Sequence, residues 1–426
     1  MKGSAMFPRL PLYLLTLLPV LLVQSSTTSS PSAVPADPPP RPPSPAGDPT
    51  WALGLRLYRA VRSEPGSVNA LFSPLLVASS LGALAEGSAG TTARQVQDLL
   101  RTPSSSSSSE LGNLLSSAFK SFTKANGTAF HLHASSGIFS KQAPSVSEAF
   151  VKEIQARFGL QHAPLGRGDA QADLKQLHAW AQAGLGGLEG AALEAETQAK
   201  AGALILANAL RFKGLWEREF GVERTERRTF LGREYTKVTM MHRAGLYRLY
   251  EDVSNMVQVL EVPLWRGEAS VVLLLPFHVE RLDRLERLLS PELLAQWLEQ
   301  ASVTSVAVSL PRVNVSSALS LRKPLSALGL ADAWDPKMAD LSGASGEGGA
   351  RLHLGAVLHW ASVELDAQAG RGSVGEEAVG EEAVEKPRVF YADHPFLVLV
   401  RDRATGALLL LGAVDHADGE PLHDEL

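Results

Sequence analysis

The sequence predicts an α+β protein built on mostly antiparallel sheets, and three observations carry this prediction. Apolar residues at helical spacing are concentrated in the first half of the chain, whereas the apolar runs typical of strands are concentrated in the second half. Helical and strand patterns do not alternate regularly, which argues against a parallel doubly wound sheet. No internal repeat with a period of about 20 to 50 residues occurs, which argues against a solenoid or a propeller.

The predicted elements follow from local spacing. Residues 51–62 carry an apolar helical stripe. Ser73 and Pro74 start a second helix that continues to Leu84, because serine caps a helix and proline is tolerated at its first position. Further helical patterns cover residues 171–182 and 279–299. The predicted strands are residues 203–210, 256–262, 270–275, 303–310, 357–365, 396–400 and 407–414.

Length and composition exclude several classes of protein. The 426 residues can form two or three domains or one large domain. With 40 Lys and Arg against 45 Asp and Glu, the net charge is −5, so no overall basic field attracts nucleic acid or an anionic membrane. The absence of cysteine excludes thiol catalysis, iron–sulfur clusters and disulfides, so stability must come from packing.

The N-terminal residues have the order of a secretory signal. Lys2 and Arg9 precede an apolar run over residues 10–23, and small polar residues follow. We therefore expect residues 1–25 to be a cleaved signal peptide. A membrane anchor is the alternative, although the run is shorter than the roughly 20 residues of a spanning helix. Residues 26–50 are rich in proline and serine and are predicted to be a disordered leader.

The C-terminus and two short motifs point to the same compartment. The sequence ends in a retrieval signal for the endoplasmic reticulum formed by His423, Asp424, Glu425 and Leu426. With the signal peptide, this predicts the lumen of that organelle and a retrieval receptor as partner. Asn126 and Asn314 each begin an N-glycosylation triplet and are candidate glycan sites.

Motifs of catalysis and ligand binding are scarce. No G-x-S-x-G, H-E-x-x-H, P-loop or EF-hand pattern occurs, so we expect no enzyme activity, no cofactor and no metal. Residues 370–375 match G-x-G-x-x-G, but two glutamates follow where a pyrophosphate would bind, so a loop is predicted. The tripeptide at 167–169 is predicted to form a turn. His131 and His133 lie on one face of a predicted strand, but no third metal ligand accompanies them, so a surface strand is predicted instead of a metal site.

Three segments resemble the signature blocks of the serpin family in order and spacing. They are residues 69–79, residues 208–216, and residues 390–396 followed by Thr405 and Gly406. The resemblance runs from about Trp51 to Val414. It implies a serpin fold of three β-sheets surrounded by eight or nine α-helices. It further implies one domain over 51–415 with an exposed reactive-centre loop at 366–389, and a tail over 416–426.

The reactive-centre loop departs from the pattern of inhibitory serpins. Those proteins trap proteases by inserting the cleaved loop into the main sheet, which requires a hinge of small, uncharged residues. Here the hinge at 367–377 contains Arg371, Glu376 and Glu377, whose charges oppose burial in a sheet. We therefore expect no inhibition. A serine protease inhibitor, or an inactive serpin with another luminal client, remain the alternatives.

Within the serpins, the chain resembles the colligins, which are collagen-binding chaperones of the endoplasmic reticulum. Residues 240–247, 276–286, 308–311 and 389–394 carry this resemblance. It implies a monomer that binds triple-helical procollagen through one carboxylate, since a Gly-X-Y rod exposes only its X and Y side chains. The matching contact positions are Asp393, Tyr391, Val389, Arg228, Ser309 and Leu231.

The same resemblance bears on the response to acid. Gly221 and Val222 stand where colligins have two histidines, and Val389 replaces a leucine. The remaining candidates for pH sensing are His242, His278 and His394.

Overall fold

The structure is a computed structural model that describes residues 43–64, 68–100, 108–141, 146–166, 169–193, 202–220, 226–345, 351–371 and 386–422. The predicted signal peptide, the retrieval signal, the Gly221–Val222 substitution and most of the reactive-centre loop lie outside the described residues. No helix in the described part of the chain combines the length and the apolar composition needed to cross a membrane.

The described residues contain nine α-helices, which begin where the local sequence provides caps. Asp48 accepts a 2.7 Å hydrogen bond from the Thr50 N–H, and Ser73 accepts one of 3.2 Å from the Leu76 N–H. Asp169, the last residue of the predicted turn, caps a third helix. The helices are α1 (Pro49–Arg62), α2 (Pro74–Gly87), α3 (Gly90–Leu100), α4 (Ser108–Ala125), α5 (Glu148–Phe158), α6 (Ala170–Gly184), α7 (Asp283–Leu288), α8 (Pro291–Gln300) and α9 (Arg322–Ala327).

The single helix predicted over residues 279–299 is wrong, because α7 and α8 occupy this region as separate helices. Ser290, which directly precedes Pro291, is extended with φ −140° and ψ 160°, because the proline ring disfavours helical backbone in the residue before it. Ser290 then caps α8 by accepting a hydrogen bond from the Leu293 N–H, and Pro291 takes the first helical position. The apolar period continues across the break, which is why spacing alone predicted one helix.

The first sheet has five strands in the order β10-β11-β4-β2-β3. The central strands β4 and β11 pair directly and in parallel, with Leu206 opposite Val357. An additional strand could enter between them only if this ladder separated. The strands are β2 (Phe130–Lys141), β3 (Gln161–Leu165), β4 (Ala203–Gly214), β10 (Val313–Ser320) and β11 (His353–Leu365).

The second sheet has ten strands, because the long strand β6 joins two groups that would otherwise be separate sheets. β6 pairs with β5 and β15 over its first residues, with β9 over residues 240–249 and with β7 at its end. The strands are β1 (Leu71–Phe72), β5 (Glu226–Leu231), β6 (Tyr235–Asp252), β7 (Val257–Pro263), β8 (Ala269–Pro276), β9 (Ser302–Pro311), β12 (Arg388–Tyr391), β13 (Phe396–Asp402), β14 (Leu408–Val414) and β15 (Glu420–Pro421).

A buried polar cluster fastens α2 to the five-stranded sheet. His359 on β11 accepts a 2.9 Å hydrogen bond from the Ser73 N–H. Ser80 on α2 and Ser136 on β2 both donate to the side-chain oxygen of Asn208 on β4, at 2.9 Å and 2.7 Å. Burial lowers the pKa of His359 to about 3, so its ring is neutral in the folded protein.

Candidate functional site

Three neighbouring strands bring predicted contact residues together. The register places Tyr391 on β12 opposite Ser309 on β9, and Ser309 opposite His242 on β6, so their side chains share one face of the sheet. The His242 Nδ1 atom lies 2.7 Å from the Ser309 hydroxyl oxygen. The rings of His242 and Tyr391 stack at 6.3 Å with an angle of 30° between their planes. Tyr391 is therefore held half-buried at the edge of this sheet.

Val389 lies on the same face, opposite Ala307, and its side chain is 59% exposed. Two residues from distant parts of the sequence hold the start of β12 in place. Gln258 donates a 2.9 Å hydrogen bond to the Val389 carbonyl, and Arg388 pairs with Glu251 at 2.6 Å. Sequence reasoning missed Gln258 and Glu251, because they lie 131 and 137 positions from their partners and carry no motif.

Asp393 follows β12 and is oriented by the next residue. Its Oδ1 atom lies 2.8 Å from Nδ1 of His394, and Nε2 of that ring lies 2.9 Å from the Pro276 carbonyl oxygen. The Asp393 carbonyl accepts a 2.7 Å hydrogen bond from the Leu231 N–H. The Asp393 side chain remains 28% exposed. Since a carboxylate offers about four acceptor positions, it can still accept hydrogen bonds from an external cation.

The buried ring of His394 faces an oxygen atom on each side. An imidazole donates through both nitrogens only when it carries two protons, so only the doubly protonated ring donates to Asp393 and Pro276 together. His278 lies exposed in the turn after β8, two positions beyond Pro276. Of the three predicted pH-sensing histidines, His242 and His394 thus contact predicted binding residues.

Arg228 lies farther from this group, whereas the Leu231 backbone contacts it through the hydrogen bond to the Asp393 carbonyl. Arg228 is exposed on β5 opposite Val238, and the buried Val238 and Met240 side chains separate it from His242 along β6. Leu231 is three positions later, so its side chain points to the other face of β5. The structure therefore brings Asp393, Tyr391, Ser309 and Val389 into one locality, to which Leu231 is joined through its backbone, and Arg228 lies at the margin.

Both candidate glycosylation sites lie in exposed parts of the chain. Asn126 is in the turn between α4 and β2, where its amide donates to the Leu132 carbonyl and accepts from the Leu132 N–H. Asn314 lies on β10, an edge strand, and accepts a hydrogen bond from the Ser362 hydroxyl at 3.1 Å. Within the described ranges, no three His, Asp or Glu side chains are grouped so as to hold a metal ion.

The residues that begin the reactive-centre loop are fixed to the end of β4. The Trp216 N–H donates to the Gln368 carbonyl and the Gly370 N–H donates to the Trp216 carbonyl, each at 3.1 Å. Gly370 packs so closely on Trp265 that a Cβ atom there would lie 2.1 Å from the indole ring. This segment has no room for a side chain at position 370.

Charged side chains hold the same segment. Asp366 pairs with Arg312 at 2.8 Å and with Lys213 at 3.3 Å. Burial alone would raise the pKa of Asp366, but the Ala367 N–H and the charges of Arg312 and Lys213 lower it overall. The carboxylate is therefore stabilised in its charged form at the start of the loop.

Comparison with known proteins identifies the family. The sequence model of the family described as Serpin (serine protease inhibitor) matches residues 50–417. The chain belongs to the serpin family. Among similar serpins, Serpin H1 of Mus musculus is 33% identical over 377 residues, which cover 88% of each chain. Serpin H1 of Gallus gallus is 33% identical and spans 89% of this chain and 92% of its own. Antithrombin-III of Ovis aries is 26% identical over 361 residues.

The solved structures agree on the fold. The crystal structure of uncleaved ovalbumin superposes with a TM-score of 0.77 and covers 88% of this chain and all of its own, at 24% identity. The predicted serpin fold is thus confirmed. The matches to Serpin H1, which is colligin, also confirm the resemblance to that branch, and 33% identity makes this serpin a divergent member.

Proposed function

We propose that this serpin is a non-inhibitory chaperone that binds Arg-containing, triple-helical procollagen reversibly in the lumen of the endoplasmic reticulum. The observation that carries the proposal is the exposed edge of β12, where the Asp393 carboxylate, oriented by His394, lies close to Tyr391 and the exposed Val389. The similarity to Serpin H1 over 88% of the chain supports it.

The chemistry of the client matches this edge. A triple helix presents its X and Y side chains on a narrow rod. An arginine at Y can donate two parallel hydrogen bonds to one carboxylate, which lysine cannot reproduce. Tyr391 and Val389 then contact the apolar surface on either side. Each charge-assisted hydrogen bond contributes about 1.5 to 3 kcal/mol, so a single Asp–Arg contact can dominate the recognition.

The start of the reactive-centre loop supports the proposed lack of inhibition. Insertion would separate β4 from β11, break the ion pairs of Asp366 and carry Arg371 into the sheet. Burial of an unpaired guanidinium costs several kcal/mol. A stable complex with a serine protease would instead support the inhibitor after which the family is named.

Binding to the folded client alone accounts for chaperone action. A protein that binds the triple helix but not the unfolded chains stabilises the helix by mass action, in proportion to its free concentration. The location in the endoplasmic reticulum rests on the motifs at residues 1–25 and 423–426. The acid-sensing role of His242, His278 and His394, and the glycans on Asn126 and Asn314, stay predictions.

The test is a binding titration with three triple-helical peptides that are identical except for one Y position, occupied by Arg, Lys or Pro. Wild-type protein should bind the Arg peptide at least tenfold more tightly than the Lys peptide, because only arginine donates in a bidentate manner. Asp393→Asn should abolish this preference, and Asp418→Asn, which changes an 87% exposed carboxylate, should retain it. Equal affinity for all three peptides would refute the proposal.

A further inference from the structure

A cleft of about 450 Å³ opens beside the start of the reactive-centre loop. It lies between the segment that follows β4, the middle of β6 and the end of β7. Asp393, Tyr391 and Val389 do not line it, so it is separate from the proposed client surface. The lining residues are Trp216, Glu217, Arg218, Phe220, Arg243, Gly245, Leu246, Tyr247, Val262 and Pro263.

The inner wall of the cleft is apolar and buried. Trp216 and Phe220 are almost completely buried, and their rings meet edge to face at 5.5 Å. Val262 and Pro263 continue this wall, and Leu246 stands at the mouth with 65% of its surface exposed. Because Trp216 and Phe220 present almost no exposed area, a ligand would remove water mainly from Leu246 and the half-buried Pro263.

The polar groups of the cleft are mostly cationic. Arg218 and Arg243 line it together with one carboxylate, Glu217. Arg243 donates to the Glu219 carbonyl and to the Tyr247 hydroxyl, and a guanidinium has five N–H donors. Burial raises the pKa of Tyr247 to about 12, although both arginines act to lower it, so the hydroxyl is protonated at neutral pH. The cleft thus offers hydrogen-bond donors and a net positive charge beside an apolar wall.

Gly245 keeps the cleft open. It lies on β6 between Arg243 and Tyr247, and a Cβ atom at this position would lie 3.1 Å from the Tyr247 ring. A larger side chain at 245 would therefore occupy the space next to the phenol. This gives a substitution that fills the cleft without removing any of its charges.

We propose that this cleft binds a small amphipathic anion, that is, an apolar body with a single carboxylate or sulfonate head. The head pairs with Arg218 and Arg243, and the apolar body lies against Leu246 and Pro263, beside Trp216 and Phe220. These two aromatic residues also hold the start of the reactive-centre loop, since their N–H groups donate to the carbonyls of Gln368 and Ala367. A bound anion would thus lie next to the residues that fix the loop.

The test uses 1-anilinonaphthalene-8-sulfonate, whose fluorescence rises in apolar surroundings and which carries one sulfonate. The full-length protein should bind one molecule of this probe, and decanoate should displace it while the uncharged decanol does not. Gly245→Leu should weaken probe binding at least tenfold by filling the cleft. Arg218→Gln should weaken it about tenfold through loss of one charge-assisted hydrogen bond.

Arg281→Gln is the matched control, because it removes the same charge from a side chain that is 75% exposed outside the cleft. It should leave probe affinity unchanged. Arg218 is an exposed residue, so its variant tests the site even if Gly245→Leu does not fold. The proposal is overturned if the probe does not bind, if Arg218→Gln binds it like the wild type, or if decanol displaces it as well as decanoate.

Discussion

At the scale of single residues, the proposed client surface depends on how neighbouring side chains hold Asp393. His394 contacts the carboxylate on one side and the Pro276 carbonyl on the other, and the Asp393 backbone is fixed by the Leu231 N–H. A carboxylate oriented in advance loses little freedom when it binds a guanidinium. Accurate placement of one group can thus compensate for a small contact area.

A larger side chain at position 389 should make the protein bind the Arg peptide more tightly. The Val389 side chain is 59% exposed, so a larger aliphatic group meets no packing cost in the free protein. Val389→Leu should raise the affinity for the Arg peptide about two- to fourfold, because one further methylene contributes up to about 0.8 kcal/mol when it is buried. The measurement is isothermal titration calorimetry. Val253→Leu, at a position that is 70% exposed, is the control, and equal affinities of both variants and wild type would exclude Val389 from the contact.

At the scale of elements, the cluster between α2 and the five-stranded sheet makes stability depend on pH. The pKa of His359 is about 3 in the folded protein and about 6.5 in the unfolded chain, so acid protonates only the unfolded state. The contribution of His359 to the free energy of unfolding is therefore fully present above pH 6.5 and is lost as the pH falls towards 3. Between pH 7.5 and pH 5.5 this group alone removes about 1.3 kcal/mol from the free energy of unfolding.

The measurement is urea unfolding of wild type and His359→Gln at these two pH values. The variant should be less stable than wild type at pH 7.5, since it alters the acceptor for the Ser73 N–H. Its free energy of unfolding should, however, fall by about 1 kcal/mol less than that of wild type between pH 7.5 and pH 5.5. His278→Gln changes an exposed ring and should keep the wild-type dependence. If the free energy of unfolding of His359→Gln falls as much as that of wild type between the two pH values, other groups cause the sensitivity to acid.

The central pair β4–β11 gives a prediction about the cleaved protein. An inserted strand would add hydrogen bonds on both sides and raise the midpoint of thermal unfolding. Because Asp366, Gly370 and Arg371 oppose insertion, cleavage by a glutamate-specific protease within residues 376–382 should leave that midpoint nearly unchanged in calorimetry. A large increase after cleavage would show that the loop inserts and would favour the inhibitor.

Sequence reasoning found the elements whose signals are local. The continuous apolar runs of β8 and β13 and the capped start of α2 were predicted close to their observed bounds. Strands β5 and β12 were missed, because β5 is mostly polar, β12 has only four residues, and both exist through pairing with β6 and β9. For the site, the family resemblance supplied Asp393 and Tyr391. The contacts of Gln258 and Glu251 with β12 depend on tertiary structure, which no local pattern encodes.

At the scale of the whole molecule, a fold without disulfides must join its ends by packing and ion pairs. Strand β1, near the start of the domain, pairs with β14, near its end. Next to this pairing, Arg62 on α1 bonds Glu286 on α7 at 2.8 Å and Asp415 at 2.5 Å. Tyr58 donates to the same Glu286 carboxylate. This network connects three segments that are distant in sequence.

Removal of the central cation should therefore be costly. Arg62→Ala leaves two mostly buried carboxylates without their partner and should lower the free energy of unfolding by about 3 kcal/mol in urea. Arg281→Ala breaks an exposed pair with Asp283 and should cost less than about 0.5 kcal/mol. Similar costs for the two variants would mean that the network does not hold the ends together.

The central claim is that Asp393 recognises an arginine of the triple helix, and a double-mutant cycle tests it most directly. Calorimetry would measure the affinity of wild type and Asp393→Asn for two triple-helical peptides, one with Arg and one with Gln at the same Y position. A direct contact predicts a coupling energy of about 1.5 kcal/mol or more, with Asp393→Asn nearly indifferent to the change in the peptide. If the effects of the two changes on the binding free energy add within about 0.5 kcal/mol, Asp393 and the arginine do not contact each other. This result would contradict the proposed function.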